Sequence, residues 1–267
     1  PLKAISAFSP PMSTQDFNLY ENEVKAQFMD YDAGMEYARR QGKPVMIDFT
    51  GYGCVNCRKM EASVWTDPKV KQILENDYVL ITLMVDDKTK LPQPITIEEH
   101  GKTRKLKTIG DKWSYLQRSK FGANAQPFYI LLNAEGKPLG PSYAFNESVP
   151  DYIKFLENGL KVFKEKEIIN KIGEKYNTKF DFKGKKTYEP VGCKKCNQSG
   201  YLNRIGIFEV LNIDDEVRDL IARDGSSMEI RAKALELGYK PLVIDGLKKV
   251  LNGITTLDEI NNKLIIY

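Results

Sequence analysis

Two pairs of cysteines, each with two residues between its members, account for every cysteine in this chain of 267 residues. Cys54 and Cys57 follow the mainly apolar segment 44–50 and precede a segment of helical character. A strand that delivers two thiols to the first turn of a helix suits dithiol–disulfide exchange, because free N–H groups and the helix dipole favour the thiolate there. We predict that Cys54 is the exposed attacking thiol and Cys57 the more buried resolving thiol. A purely structural disulfide is the alternative.

The second pair, Cys193 and Cys196, lies in a different setting, within a tight turn that is followed by Gly200. Such turns are more typical of zinc knuckles than of redox sites, since glycines let backbone N–H groups approach the sulfurs. A structural zinc site needs four ligands and only two are local, so zinc is expected only if further ligands are supplied. Free thiols, an oxidised pair and a partial metal site shared between chains are the alternatives. One site built from all four cysteines is disfavoured, because the pairs lie much further apart than the ~12–20 residues usual between zinc-ligand pairs.

Charge and composition exclude several other functions. The net charge is +4, and lysine and glutamate are mixed along the chain, so no basic stripe for nucleic acid is expected. No run approaches the ~18 apolar residues that a membrane span requires. The single histidine, His100, lies in a polar stretch and is expected to be an ordinary loop residue, which disfavours histidine-based hydrolase and metal sites. No phosphate-binding glycine loop occurs.

Helices and strands alternate through the first 166 residues, which predicts an α/β layered domain. Residues 1–20, rich in proline and serine, form an N-terminal arm, and an inserted hairpin is expected near 88–112. The predicted elements are helices at 23–41, 54–64, 67–76, 112–121 and 151–166, and strands at 44–50, 78–85 and 127–133.

Residues 167–267 have a different sequence pattern, and we predict that they form a second, mainly helical domain. A polar stretch leads to the second cysteine pair, and a short strand is expected at 205–211. Four short helices follow, with capping-box signatures beginning at Ser226 and Thr256.

Over about residues 20–165, the sequence resembles thioredoxin-fold proteins, above all the exported C-terminal domain of the DsbD-type thiol–disulfide interchange proteins. The resemblance is carried by the first cysteine pair and by three segments, GKPVMIDFT at 42–50, DPKV at 67–70 and QPFYILLNAEG at 126–136. It implies a central mixed sheet flanked by helices, thiol–disulfide oxidoreductase activity without a cofactor, and a periplasmic location linked to cytochrome c biogenesis. The implied partners are protein thiols or disulfides and a redox partner protein.

The same resemblance assigns roles to two further residues. Asp48 matches the buried carboxylate that exchanges a proton with the inner cysteine, and Pro127 matches the cis-proline that faces the disulfide. Proline lowers the free-energy cost of a cis bond to ~0.5–1 kcal/mol, whereas a buried Asp without a partner costs several kcal/mol. The alternatives are a strand-edge Asp bonded to backbone and an ordinary trans proline. Gly53 and the dipeptide Val55-Asn56 depart from the family pattern, which leaves the direction of electron flow open.

From 190 to 260, the chain resembles the C-terminal end of the type II secretion and type IV pilus assembly ATPases. The matching segments are CKKCNQSGYLNRIGIFE at 193–209 and DGLKKVLNGITTLDE at 245–259. The resemblance implies a cytoplasmic, non-catalytic module that packs against an ATPase or secretion-system subunit. The upstream cysteine pair that completes a zinc site in many of those ATPases is absent here, as are the phosphate loop and the motor core, so no ATP hydrolysis is expected.

The two halves imply different compartments, one exported and the other cytoplasmic. We therefore favour an engineered chimera over a natural gene fusion. The first residue is not Met and no signal-like segment follows it, so the chain is expected to begin inside a gene product.

Overall fold

A computed structural model describes residues 24–99, 101–182 and 188–264. The predicted N-terminal arm and His100 lie outside these residues. The chain divides into two compact units, Pro1–Phe163 and Lys164–Tyr267. Each unit has its own cluster or clusters of buried apolar side chains.

The first unit alternates helices with strands, as its apolar pattern predicts. Its elements are α1 (Tyr31–Gln41), β1 (Val45–Thr50), α2 (Val55–Ser63), α3 (Pro68–Asn76), β2 (Val79–Met84), β3 (Lys90–Glu99), β4 (Lys102–Thr108), α4 (Ile109–Phe121), β5 (Phe128–Leu132) and the start of α5 (Val149–Lys175).

The first helix is shorter than predicted. Residues 24–30 are not helical, because the Asp30 side chain accepts a hydrogen bond from the Ala33 N–H at 3.0 Å and caps α1 there. Gly42 ends α1 with a φ of 62°, a left-handed conformation that glycine adopts without strain, and β1 begins three residues later.

A three-stranded mixed sheet forms the centre of this unit, in the order β2-β1-β5. β1 runs parallel to β2, with Ile47 opposite Ile81, and antiparallel to β5, with Phe49 opposite Phe128. Every residue of these three strands is buried. Two apolar clusters that include helical side chains pack against the sheet residues. The predicted fold class, a thioredoxin-like mixed sheet flanked by helices, is confirmed.

Strands β3 and β4 form a separate antiparallel hairpin within the segment where an insertion was expected. Its side chains are mostly exposed, and Leu106 is its one buried residue among those described. Glu99 accepts hydrogen bonds from Arg104 of β4 and from Arg118 of α4. These ion pairs join the hairpin to the helix that follows it.

Helix α5 is longer than the predicted 151–166 and continues to Lys175. Its first part contributes Tyr152 and Leu156 to a core of the first unit. Its second part contributes Ile169 and Ile172 to the core of the second unit. The helix continues because apolar residues recur at helical spacing beyond Lys166.

The second unit is mainly helical. After a 3₁₀ turn at Lys194–Cys196, it contains α6 (Asp215–Ala222), α7 (Ser227–Glu236), α8 (Leu242–Leu251) and α9 (Leu257–Lys263). The predicted strand at 205–211 is wrong: the described residues of this unit contain no strand. An extended segment becomes a strand only when a neighbour pairs with its N–H and C=O groups. None of the described helices is long and apolar enough to cross a bilayer.

Candidate functional site

The loop between β1 and α2 is fixed by a carboxylate from the neighbouring strand end. Asp86, just beyond β2, accepts hydrogen bonds from the backbone N–H groups of Tyr52 at 2.8 Å and Gly53 at 3.0 Å. A Cβ at Gly51 would lie 2.9 Å from an Asp86 carboxylate oxygen, so a larger residue there would require the Asp86 carboxylate to move. Our sequence reasoning did not select Asp86. Its position after a strand parallel to β1 was the available signal, because the carboxyl ends of parallel strands meet at one sheet edge.

The first cysteine pair lies directly after this loop, as a disulfide between Cys54 and Cys57. Cys54 is the N-cap of α2, and its sulfur accepts a hydrogen bond from the Cys57 N–H at 3.2 Å. Cys57 is only 1% exposed, whereas Cys54 is partly exposed. A partner could therefore reach Cys54 first. These exposures suit the roles of attacking and resolving thiol, which remain predictions.

Asp48 lies on the central strand of the sheet, and its side chain is 2% exposed. One carboxylate oxygen accepts a hydrogen bond from the Thr82 hydroxyl at 3.4 Å, and Oδ1 has no hydrogen-bond partner. The alternative of a strand-edge Asp does not apply, because β1 has a neighbour on each side. Burial raises the pKa of Asp48 well above its usual value, and the nearby Glu61 carboxylate raises it further, while Arg58 and Thr82 oppose the shift.

Arg58 follows Cys57 on α2 and is buried beside this carboxylate. It donates hydrogen bonds to Glu61 Oε2 at 2.6 Å and to Thr50 Oγ1 at 3.1 Å, and its Nε has no partner. Arg58 directly follows Cys57, so the sequence places a positive charge near the cysteines. Glu61 was not selected at all, although its position three residues after Arg58 places the two on one helix face. The Arg58–Glu61 ion pair, which is partly exposed at Glu61, thus lies near the buried Asp48 carboxylate.

Pro127 is buried and follows a cis peptide bond from Gln126. It immediately precedes Phe128, which pairs with Phe49 near the end of β1, so Pro127 lies at the sheet edge from which the chain leads to Cys54. Gln117 of α4, which is fully buried, supports this turn. Its Nε2 donates to the Ala125 carbonyl at 2.9 Å, and its Oε1 accepts from Gln126 Nε2 at 3.0 Å. Gln117 was not selected from the sequence, since a lone Gln in a helix carries no distinguishing pattern.

The second cysteine pair lies in the second unit, and both of its thiols are free. The two sulfurs are 3.5 Å apart, with Cys193 exposed and Cys196 buried. The Cys196 sulfur accepts hydrogen bonds from the backbone N–H groups of Cys193 at 3.1 Å and Gly200 at 3.2 Å. Together with weaker contributions, these donors lower the pKa of the Cys196 thiol to about 7.

The donor set around this pair does not fit a closed zinc site. Structural zinc is held by four Cys or His ligands in nearly all cases. Among residues 24–99, 101–182 and 188–264, no cluster of three or more Cys, His, Asp or Glu side chains could hold a metal ion. Within this part of the chain, Cys193 and Cys196 therefore supply half of the required ligands.

Family models match both halves of the chain. Residues 26–145 match the thioredoxin-like family, and residues 153–262 match the type II/IV secretion system protein family. The chain thus joins a region that is similar to the thioredoxin-like family to a region that is similar to the type II/IV secretion system protein family. Its two-part composition is as the motifs predict, although the second match begins within α5, earlier than the expected 167.

Two curated relatives match this chain over short segments. The type IV pilus assembly ATPase PilB of Acinetobacter baylyi is 49% identical over 74 residues, which is 28% of this chain and 13% of that protein. The type II secretion system protein E of Dickeya dadantii is 49% identical over 79 residues, or 29% of this chain and 15% of that protein. The chain thus spans only a small part of the length of these relatives.

Two solved structures align with about half of this chain. The DsbH oxidoreductase aligns with a TM-score of 0.37 and 18% identity, covering 56% of this chain and 96% of that one. A putative disulphide-isomerase from Bacteroides thetaiotaomicron aligns with a TM-score of 0.38 and 15% identity, covering 53% and 97%.

Proposed function

We propose that the first domain is a thiol–disulfide oxidoreductase whose reactive pair is Cys54 and Cys57. The observation that carries the proposal is the asymmetric disulfide at the start of α2, with a partly exposed Cys54 and a Cys57 that is 1% exposed. In the reduced enzyme, the Cys54 thiolate attacks a sulfur of the substrate disulfide, and one substrate thiolate leaves. Cys57 then attacks Cys54 in the mixed disulfide and releases the second substrate thiolate.

Asp48 and Pro127 complete the proposed site. Because the resolving step requires deprotonation of Cys57, a buried carboxylate with a raised pKa is suited to accept that proton. Pro127 faces the substrate at the sheet edge beside the disulfide. The proposed partners are protein thiols and a redox partner protein, and no cofactor takes part.

The test is reduction of insulin by the full chain with a dithiol as electron donor. Cys54→Ser should abolish the catalysed rate, because no attacking thiol remains. Cys57→Ser should retain a covalently trapped substrate on Cys54. Ser63→Ala, which changes an exposed hydroxyl on the same helix, is the matched control and should keep the full rate. Catalysis that survives in Cys54→Ser would exclude the mechanism.

For the second domain, we propose binding to an ATPase of the type II/IV secretion family, without catalysis. A segment rich in exposed apolar side chains favours this function. Among the described residues of 188–213, eight large apolar side chains are 39–81% exposed: Tyr188, Val191, Leu202, Ile205, Phe208, Val210, Leu211 and Ile213. Exposed apolar groups on this scale mark interaction surfaces.

Binding can be measured by calorimetry between the full chain and a secretion ATPase that lacks its own C-terminal end. Val210→Ser, at a side chain 75% exposed, should weaken binding by roughly tenfold if that side chain is buried in the complex. Met228→Ser changes a side chain that is 81% exposed on α7 and lies outside this segment, so it should leave binding unchanged. Equal losses in both variants, or no binding by the unchanged chain, would refute the proposal.

The compartments also remain proposals: an exported, periplasmic site for the thioredoxin-like domain, with a link to cytochrome c biogenesis, and a cytoplasmic site for the secretion-family domain. The support is the family resemblance of each half. Labelling of reduced Cys54 in intact cells by a membrane-impermeant alkylating reagent tests the exported site, and protection of Cys54 until lysis would exclude it.

A further inference from the structure

The second cysteine pair has the geometry of a dithiol that can close. Its sulfurs are 3.5 Å apart, near enough for a disulfide to form after a small rotation of the side chains. Both thiols belong to one tight turn, because the Cys196 and Gln198 N–H groups donate to the Cys193 carbonyl at 3.2 and 2.9 Å. The backbone therefore holds the pair together whether or not the sulfurs are bonded.

The two sulfurs of this turn differ in accessibility and in hydrogen bonding. Cys193 is exposed, so an incoming disulfide reaches it first. The buried Cys196 sulfur accepts two backbone N–H bonds, from Cys193 and Gly200, which stabilise a thiolate there. In the first pair, the sulfur that accepts a backbone bond is instead that of the leading cysteine, Cys54. The second turn thus combines an exposed thiol, Cys193, with a buried thiol, Cys196, whose thiolate form is stabilised by hydrogen bonds.

We propose that Cys193 and Cys196 form a second redox-active pair, which is oxidised reversibly by thiol–disulfide exchange with glutathione-type or protein disulfides. Among the residues that the structure describes, no further zinc ligand joins the two thiols, and free thiols are the form that exchanges with disulfides. The inference concerns a different pair of thiols from the proposed function of the first domain and does not depend on it.

The reaction proceeds in two balanced steps. The Cys193 thiolate attacks one sulfur of a disulfide RSSR, the S–S bond breaks, and RS⁻ leaves. The Cys196 thiolate then attacks the Cys193 sulfur, the mixed disulfide breaks, and the second RS⁻ leaves. The pair loses two electrons to RSSR, and the two protons from the cysteine thiols end on the two RSH products or in solvent.

The test uses the full chain with Cys54→Ser and Cys57→Ser, reduced and then equilibrated, with a metal chelator, in buffers of increasing ratio of oxidised to reduced glutathione. Acid quenching, alkylation and intact mass spectrometry count the free thiols. We expect the chain to lose both alkylatable thiols together as the ratio rises and to regain both when the ratio is reversed. Peptide mapping of the unsubstituted chain gives the same readout without relying on the serine variants to fold.

The single variants separate the two roles. With Cys196→Ser, a glutathione adduct should accumulate on Cys193, because the resolving thiol is missing. With Cys193→Ser, the buried Cys196 should react much more slowly. A persistent adduct on Cys193 while Cys196 is present would overturn the proposal. Two thiols that stay reduced at every ratio would overturn it as well, as would one tightly held zinc per two chains that protects them from alkylation before chelation.

Discussion

At the scale of single residues, the buried carboxylate of Asp48 makes the stability of the protein depend on pH. Its Oδ1 has no hydrogen-bond partner, and burial holds its pKa well above the usual value of 3.8. The folded state therefore keeps this proton at pH values where the unfolded chain has lost it. The contribution of Asp48 to stability is fully present below about pH 4 and is lost as the pH rises toward the raised pKa.

Asp48→Asn should consequently stabilise the protein at neutral pH, by on the order of 2 kcal/mol, because it removes the cost of burying a charge without a partner. The gain in the free energy of unfolding should grow with pH above about 4 and disappear below it. Urea unfolding at a series of pH values measures this gain.

Asp77→Asn, at an exposed carboxylate after α3, is the control and should leave the pH dependence unchanged. A stability difference between Asp48→Asn and the unchanged chain that is the same at pH 3.5 and pH 8 would show that folding does not shift the pKa of Asp48. In the same variant, insulin reduction should slow as well, since the proposed proton acceptor for Cys57 is gone.

At the scale of elements, the loop before α2 depends on a side chain from another strand. The two hydrogen bonds that Asp86 accepts from Tyr52 and Gly53 fix the backbone immediately before Cys54. Asp86→Ala should therefore lower kcat/KM for insulin reduction by roughly tenfold, because a displaced nucleophile loses its alignment with the substrate. Asp86→Asn retains one acceptor oxygen, so its kcat/KM should lie between those of Asp86→Ala and the unchanged chain.

The neighbouring residue supplies a control for this prediction. Asp87 accepts a hydrogen bond from the Thr89 N–H, on the path toward the hairpin rather than toward the cysteines. Asp87→Ala should leave kcat/KM nearly unchanged. If both alanine variants lose the same activity, the effect belongs to the strand end as a whole and not to the cysteine loop.

The elements themselves were largely predictable because local patterns determined them. The strand from Val45 to Thr50 and the helix after Cys54 appear where apolar runs and capping residues indicate. Two kinds of feature were not predicted correctly from the sequence. The partners of the site, such as Asp86 and Gln117, come from distant positions that only the sheet register and the packing bring close. The predicted strand at 205–211 failed for the opposite reason: its local pattern favours a strand, but no strand among the described residues pairs with it.

At the scale of the whole molecule, the apolar cores of the described residues are separate, two in the first unit and one in the second, so the two units should unfold separately. Leu156 belongs to a core of the first unit and Leu247 to that of the second, and both side chains are fully buried. Each leucine replaced by alanine should cost about 2–5 kcal/mol, through lost transfer free energy and the cavity that remains.

These two substitutions form a matched pair that tests the division. Leu247→Ala should lower the urea midpoint of the second unit and leave insulin reduction intact, because Cys54 and Cys57 lie in the first. Leu156→Ala should lower the urea midpoint of the first unit. At urea concentrations near that lowered midpoint, the variant should no longer reduce insulin. Helix α5 supplies side chains to a core of each unit, so the two units could also unfold together. If either substitution shifts both transitions by the same amount, the shared helix makes the two units a single cooperative structure.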